Sequence, residues 1–238
     1  MSVHHPTITL PAVGVLNKVL DINLEIGYNK GMKLKEYLLK EEEKLGRLSI
    51  FDIDDTLFHT TAQIAVVKDG KKIKKLTNQE FNTYKLAAGE SFDFSEFKDA
   101  AKFYKESEPI SKMLNAATKL ISATDKNPEN KVIIVTARAN FDNREKFLST
   151  FRKHGIDIDK VHVERAGNMT LNNLPNLPAV KKAIIISQYL KTNKYSRVSL
   201  FDDSMDNLKE FLKLRSKFVM VRFNAYLVLP SGQIKLVK

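Results

Sequence analysis

The feature that most constrains this chain is a repeated pattern: a short apolar run stops at acidic or polar residues, and a stretch with helical apolar spacing follows. RLSIFDI, KVIIVTAR and SRVSLFDDS show it most clearly, and the shorter KVHVER and KFVMVRF bring the expected strands to five. The helical stretches are PISKMLNAATKLISA, with Pro109 in a helix-opening position, NREKFLSTFRKHG, closed by Gly155, PAVKKAIIISQYLK, opened by Pro178, and DNLKEFLKL. Runs apolar on both faces suit buried parallel strands, and strands alternating with helices imply an α/β architecture in which helices cover both faces of a parallel sheet. In such a sheet, chemistry belongs in the crevice at the carboxyl ends of the strands.

Three segments depart from that rhythm. Residues 58–108 form a lid-sized insertion directly after the first strand: TAQIAVVKDGKKIKKL reads as a hairpin around Asp69-Gly70, and NQEFNTYKL and DFSEFKDAAKFYKE read as one or two short helices. Residues 1–46 read as an N-terminal extension with one surface helix, GMKLKEYLLKEEEKLG, capped by Gly46. Residues 224–238 read as a C-terminal hairpin turning at Pro230-Ser231-Gly232. Residues 47–223 are left as the main α/β domain.

Composition narrows the chemistry. The 238 residues contain no cysteine, which excludes disulfides, thiolate metal sites and cysteine nucleophiles. No apolar run approaches the roughly 20 residues needed to span a bilayer, and MSVHHPTITLPAVGVLNK lacks a signal-peptide pattern, so a cytoplasmic protein without membrane partners is expected. A net charge of +11 favours anionic partners, although lysines spread along the whole chain also serve solubility.

Asp52, Asp54 and Asp55 crowd the end of the first strand, and Asp202, Asp203 and Asp206 crowd the end of another. Carboxylates at such density repel one another and call for a cation. Magnesium is the natural one, because it prefers hard oxygen ligands and commonly uses one or two carboxylates together with substrate phosphate; zinc suits the donor set poorly.

In order along the chain come Asp-x-Asp-x-Thr in FDIDDT, a threonine after a strand in VIIVTARAN, a lysine, and an acidic pair in LFDDSMDN. This order resembles the haloacid-dehalogenase (HAD) superfamily over Leu48 to Phe223. The wording is also similar to class B acid phosphatases, polynucleotide 3′-phosphatase domains and HAD-like proteins of tailed bacteriophages.

The resemblance implies a HAD-like Rossmannoid three-layer sandwich with a central parallel sheet and a small flap or cap insertion. It also implies a set of roles. Asp52 is nucleophile and metal ligand, forming an aspartyl phosphate. Asp54 protonates the leaving alkoxide and then deprotonates water, while its carbonyl binds magnesium; retaining this second acid favours a phosphatase over a dehalogenase. Thr136 holds a phosphoryl oxygen, or alternatively caps the next helix. Arg138 contacts the phosphate as a similarly placed arginine does in relatives, or forms a surface salt bridge.

Either Lys181 or Lys182 neutralises the nucleophile; Lys182 is preferred because Ile186, Tyr189 and Leu190 follow it on one helical face, and the other would be a solvated surface lysine. Asp203 is the expected metal ligand and Asp202 the alternative. Asp206 or Asn207 would hold a metal-bound water or cap a helix. Thr56 orders the loop.

The remaining candidates have plainer readings. His59 reads as a loop histidine, and His4, His5, His154 and His162 show no ligand spacing. The KKIKK stretch reads as a solvated hairpin or as an electrostatic guide for a phosphorylated ligand. Phe81, Tyr84 and Phe92 read as local core rather than base-stacking residues. No G-x-x-x-x-G-K-S/T loop is present, which disfavours an accompanying kinase activity. The expected function is a magnesium-dependent phosphomonoesterase acting on a nucleotide or nucleic-acid end, with 58–108 as the specificity lid. The alternatives are a phosphatase of a small phosphorylated metabolite and a non-catalytic nucleic-acid-binding module.

Overall fold

Strands buried on both faces form the centre of the protein. The computed structural model describes residues 45–171 and 177–238. The expected helix over 31–46 lies outside the described residues up to Lys44, as do His4 and His5; Gly46 itself opens the first strand. In chain order come β1 (Gly46–Phe51), β2 (Phe58–His59), β3 (Ile64–Lys68), β4 (Lys71–Leu76), α1 (Asn78–Thr83), β5 (Glu90–Asp93), α2 (Ala100–Glu106), β6 (Glu108–Pro109) and α3 (Ser111–Thr124). They are followed by β7 (Lys131–Thr136), α4 (Arg144–Lys153), β8 (His162–Arg165), α5 (Pro178–Leu190), β9 (Tyr195–Asp202), α6 (Met205–Lys213), β10 (Arg222–Val228) and β11 (Ile234–Val237).

The main sheet has the order β11-β10-β9-β1-β7-β8, parallel throughout except for β11, which runs antiparallel to β10. Alternation along the strands divides the core in two. Leu48, Ile50, Ile133 and Val135 face one cluster, packed against Ile185 and Ile186 of α5 and Leu208 and Phe211 of α6. Phe51, Val132 and Ile134 face the other, packed against Met113, Ala117 and Ile121 of α3 and Phe147 and Phe151 of α4. The result is an α/β fold with a mostly parallel central sheet between two helical layers, as the alternation of elements predicted.

Two expected boundaries move. The strand anticipated over KFVMVRF lies at Arg222–Val228, where it pairs with β9, so the first arm of the C-terminal hairpin is itself the fifth parallel strand. Helix α6 continues into a 3₁₀ turn at Leu214–Ser216, and Phe218 and Val221 close further turns, which leaves Val219 and Met220 73% and 75% exposed. Their apolar character imitated a strand that turn geometry forbids. Pro109 does not open α3; it pairs with Phe58 in the two-residue ladder β2–β6, and the helix starts at Ser111.

Between β2 and β6 lies a three-stranded antiparallel sheet of order β4-β3-β5, with α1, a 3₁₀ turn at Ser95–Lys98, and α2. The hairpin around Asp69-Gly70 has both residues at positive φ, as a tight two-residue turn requires. Ile64, Val66 and Leu76 pack with Phe81, Tyr84, Phe92 and Phe97, so these aromatics form a local core. Strand β5 had no sequence forecast. Its ESFD is too short and too polar to show a period. Among the described residues no helix is long and apolar enough to cross a membrane.

Candidate active site

Register brings the acids together. Phe51 of β1 lies opposite Phe201 of β9, so the next residues, Asp52 and Asp202, emerge side by side at the carboxyl ends, and the Asp52 amide donates to the Phe201 carbonyl at 3.1 Å. The rings of Phe51, Phe201 and Tyr226 stack at 4.7 and 4.8 Å beneath them. Past Asp52 the chain turns sharply: the amides of Leu57 and Phe58 both donate to the Ile53 carbonyl, and Asp55 takes a positive φ of 53°. Thr56 is buried in this turn, and its hydroxyl has no hydrogen-bond partner among the described residues, so its backbone rather than its hydroxyl shapes the loop.

Lys182 enters from α5, which Pro178 opens as expected. Its buried Nζ lies 2.9 Å from Asp52 Oδ1 and 2.9 Å from Asp202 Oδ2. Burial opposes its charge, but the Asp202 and Asp52 carboxylates outweigh burial and hold its pKa above the ordinary lysine value. Lys181, in the same turn, is also mostly covered rather than solvated, yet it makes no ion pair among the described residues. Of the two adjacent lysines, Lys182 is the one that reaches the acids.

Asp202 is fixed from several sides. Besides Lys182, it accepts the Ser204 amide at 2.9 Å and the Asn207 side-chain amide at 2.8 and 3.0 Å. Asn207 therefore holds the acid directly, while Ser204 caps α6 and Asp206 points to solvent beside Lys209. Asp203 is exposed, unlike Asp52 and Asp202, yet desolvation and the adjacent Asp202 push its carboxyl up to about 7. Asp52 is also raised, first by burial and then by Asp202, Asp203 and Asp54, against the pull of Lys182.

Mutual repulsion adds to burial in raising these acids. Carboxylate oxygens of Asp52, Asp202 and Asp203 lie within 4.8 Å of one another, and among the described residues a single ammonium, that of Lys182, pairs with them. Three negative charges against one positive leave an excess of two, which a divalent cation would match. The donors are all hard oxygens. Asp52 Oδ1, although near Lys182, has no hydrogen-bond partner of good geometry, so this buried oxygen has acceptor capacity to spare. The three acids thus fit a divalent metal and could hold one together.

Asp54 is neutralised separately. Arg138, following β7, grips it with Nε at 2.9 and 3.2 Å and Nη2 at 2.6 Å, and Thr60 donates to Asp54 Oδ1 at 2.6 Å. Burial would raise the Asp54 carboxyl, but Arg138 and Thr60 hold it below its ordinary value. Arg138 forms a buried pair, neither a surface salt bridge nor a free side chain. Thr136, buried at the end of β7, accepts the Arg138 amide at 3.1 Å; it does not cap α4, whose cap is Asn143.

The loop after β7 is braced by a residue with no sequence signal, Gly167, whose amide donates to the Arg138 carbonyl. A Cβ there would lie 2.4 Å from the Ala137 carbonyl oxygen and 2.6 Å from the Ala139 nitrogen. Gly167→Ala is expected to cost about 1–3 kcal/mol of stability, the usual range for overpacking, and to lower the urea midpoint accordingly.

The remaining candidates stay outside this cluster. His59 bridges Asp55 and the Pro230 carbonyl, tying the loop after β1 to the C-terminal turn. His154 packs beside Phe58, and His162 faces Glu164. In KKIKK, Lys72 pairs with Asp93 and Lys75 with Glu96, which neutralises half of its lysines locally.

No family model matches the chain, and no curated protein matches it. Among solved structures, it is similar to the HAD domain of the effector protein Lem4 from Legionella pneumophila, at 13% sequence identity and a TM-score of 0.46, over 81% of this chain and 91% of that one.

Proposed function

We propose that this chain is a magnesium-dependent phosphohydrolase of the haloacid-dehalogenase type, a phosphomonoesterase working through an aspartyl phosphate on Asp52. The observation that carries this reading is the buried Lys182 ammonium, 2.9 Å from both Asp52 and Asp202. The end of β1, distant in the chain, meets the consecutive elements α5 and β9 there. An ammonium so placed neutralises the nucleophile and would meet the charge of an incoming phosphoryl group.

In the first half-reaction an Asp52 oxygen forms a bond to phosphorus as the ester P–O bond breaks; Asp54, held ionised by Arg138 and Thr60 in the free site, would take up the proton that a monoanionic phosphate ester brings and pass it to the departing alkoxide. In the second, Asp54 takes a proton from water as the water oxygen bonds to phosphorus and the Asp52–phosphorus bond breaks. Thr136, at the end of β7, and the amides beside it would hold a phosphoryl oxygen, with Lys181, in the first turn of α5, as a further contact for the substrate. Magnesium, held by Asp52, Asp202, Asp203 and the Asp54 carbonyl, would supply charge neutralisation for the phosphoryl oxygens.

The net charge of +11 favours an anionic substrate, and we assign a nucleotide or nucleic-acid terminal phosphate, with residues 58–108 acting as the specificity lid. The test is phosphate release from nucleoside 3′- and 5′-monophosphates, 3′-phosphorylated oligonucleotides and sugar phosphates, with p-nitrophenyl phosphate as a generic ester. Turnover should require magnesium and fall to background with excess chelator. Preference for sugar phosphates would reassign the substrate to a small metabolite. Silence across the whole panel, together with salt-sensitive oligonucleotide binding, would replace the enzyme with a binding module.

A further inference from the structure

We propose that Arg138 is a positioning residue for Asp54 rather than a phosphate ligand, and that it aims Asp54 Oδ2 at the leaving group. This deepens the reading of Asp54 as acid and base and depends on it. An arginine two residues after the motif threonine contacts phosphate in the polynucleotide 3′-phosphatases and class B acid phosphatases that the sequence resembles. Here the same fork closes on a carboxylate.

The two oxygens of Asp54 are not equivalent. Among the described residues, Oδ1 accepts Thr60 Oγ1 at 2.6 Å, Arg138 Nη2 at 2.6 Å and Arg138 Nε at 3.2 Å, whereas Oδ2 accepts Nε alone, at 2.9 Å. Oδ1 is saturated with donors. Oδ2 retains the lone pair on which a proton can travel to an alkoxide and return from water.

The arginine is fixed in turn by groups that a phosphate ligand would not need. Its Nη1 donates to the Phe97 carbonyl at 2.9 Å, and the guanidinium carbon lies 4.7, 5.1 and 5.3 Å from the ring centres of Phe97, Phe103 and Phe141. Only 3% of Arg138 is exposed. A planar cation held among three rings has its fork direction set by their packing. Phe97 and Phe103 belong to the segment between β2 and β6, so that segment sets the orientation of the acid.

A leaving-group comparison on Arg138→Lys and Arg138→Gln tests this. An acid matters when the leaving alkoxide is a poor one and matters little for p-nitrophenolate, so displacing Asp54 should affect the two esters unequally. For Arg138→Lys, which keeps the charge but loses the fork, kcat on an alkyl phosphate is expected to fall about 10²-fold or more and kcat on p-nitrophenyl phosphate by less than about tenfold. KM for both esters and inhibition by inorganic phosphate should stay within about threefold of wild type. Arg138→Gln should show the same pattern more strongly; if it fails to fold, as melting would reveal, the lysine variant alone decides.

A rise of about tenfold or more in KM and in the phosphate inhibition constant, with equal losses on both esters, would make Arg138 a phosphate ligand and overturn the inference. Equal losses with unchanged KM would reduce it to a structural role and overturn the inference as well. A wild-type protein that releases phosphate from neither ester overturns the phosphohydrolase reading first, before any variant is compared, and this inference with it.

Discussion

Asp52→Asn is expected to lower magnesium-dependent phosphate release by on the order of 10⁴-fold or more, the scale on which enzymes lose turnover when a covalent nucleophile is removed. The amide is nearly isosteric with the carboxylate but cannot attack phosphorus. The loss should come without unfolding. Asp52 is buried beside Asp202 and Asp203, and burial together with those neighbours raises its pKa, so the charged form is disfavoured in the metal-free fold. Replacing it with a neutral group relieves that repulsion, and the melting temperature in chelator should hold or rise. The two readouts separate chemistry from folding. Retained turnover would sink Asp52 as the nucleophile, while a collapse of stability would show that its charge is needed for the fold.

The second large effect concerns stability. Lys182→Met removes the one ammonium that, among the described residues, lies 2.9 Å from both Asp52 and Asp202, and puts an apolar chain of similar length in its place. Breaking a buried ion pair from one side typically costs about 3–5 kcal/mol, because the abandoned charges remain buried. Asp202 would keep the Ser204 amide and Asn207, whereas Asp52 would lose its only charged partner among the described residues. Millimolar magnesium should restore part of the lost melting temperature, because a cation binding the native acids stabilises the native state by mass action. Melting curves in chelator and in magnesium measure both terms. An unchanged melting temperature in chelator would refute the view that Lys182 neutralises this cluster.

Much of the site could be read from local sequence. Asp52, Asp202 and Asp203 each close an apolar run, and a strand end delivers its last side chain to the same edge of the sheet whatever follows it. The choice of Lys182 over Lys181 followed from helical periodicity, and the structure has Lys182 bridging the acids. The partner of Arg138 had no such signal. Asp54 and Arg138 are 84 residues apart, and the pairing depends on where the ends of β1 and β7 lie relative to each other. Gly167 and the Phe97 carbonyl were hidden for the same reason, since a close backbone approach and a backbone acceptor leave no residue-type signature.

The sequence by itself determined the alternation of strands and helices, the apolar faces that divide the core in two, and the acidic strand ends, because period and burial are properties of neighbouring residues. Tertiary structure alone decided that the C-terminal strand begins at Arg222 rather than at Lys217, that Asn207 fastens Asp202, and that Arg138 holds Asp54 among three rings. The Arg138–Asp54 pair depends on the register between β1 and β7, a quantity set by packing across the sheet and not by any local pattern. The Arg222 boundary follows instead from the turns closed by Phe218 and Val221, and the Asn207 contact from the angle at which α6 leaves β9.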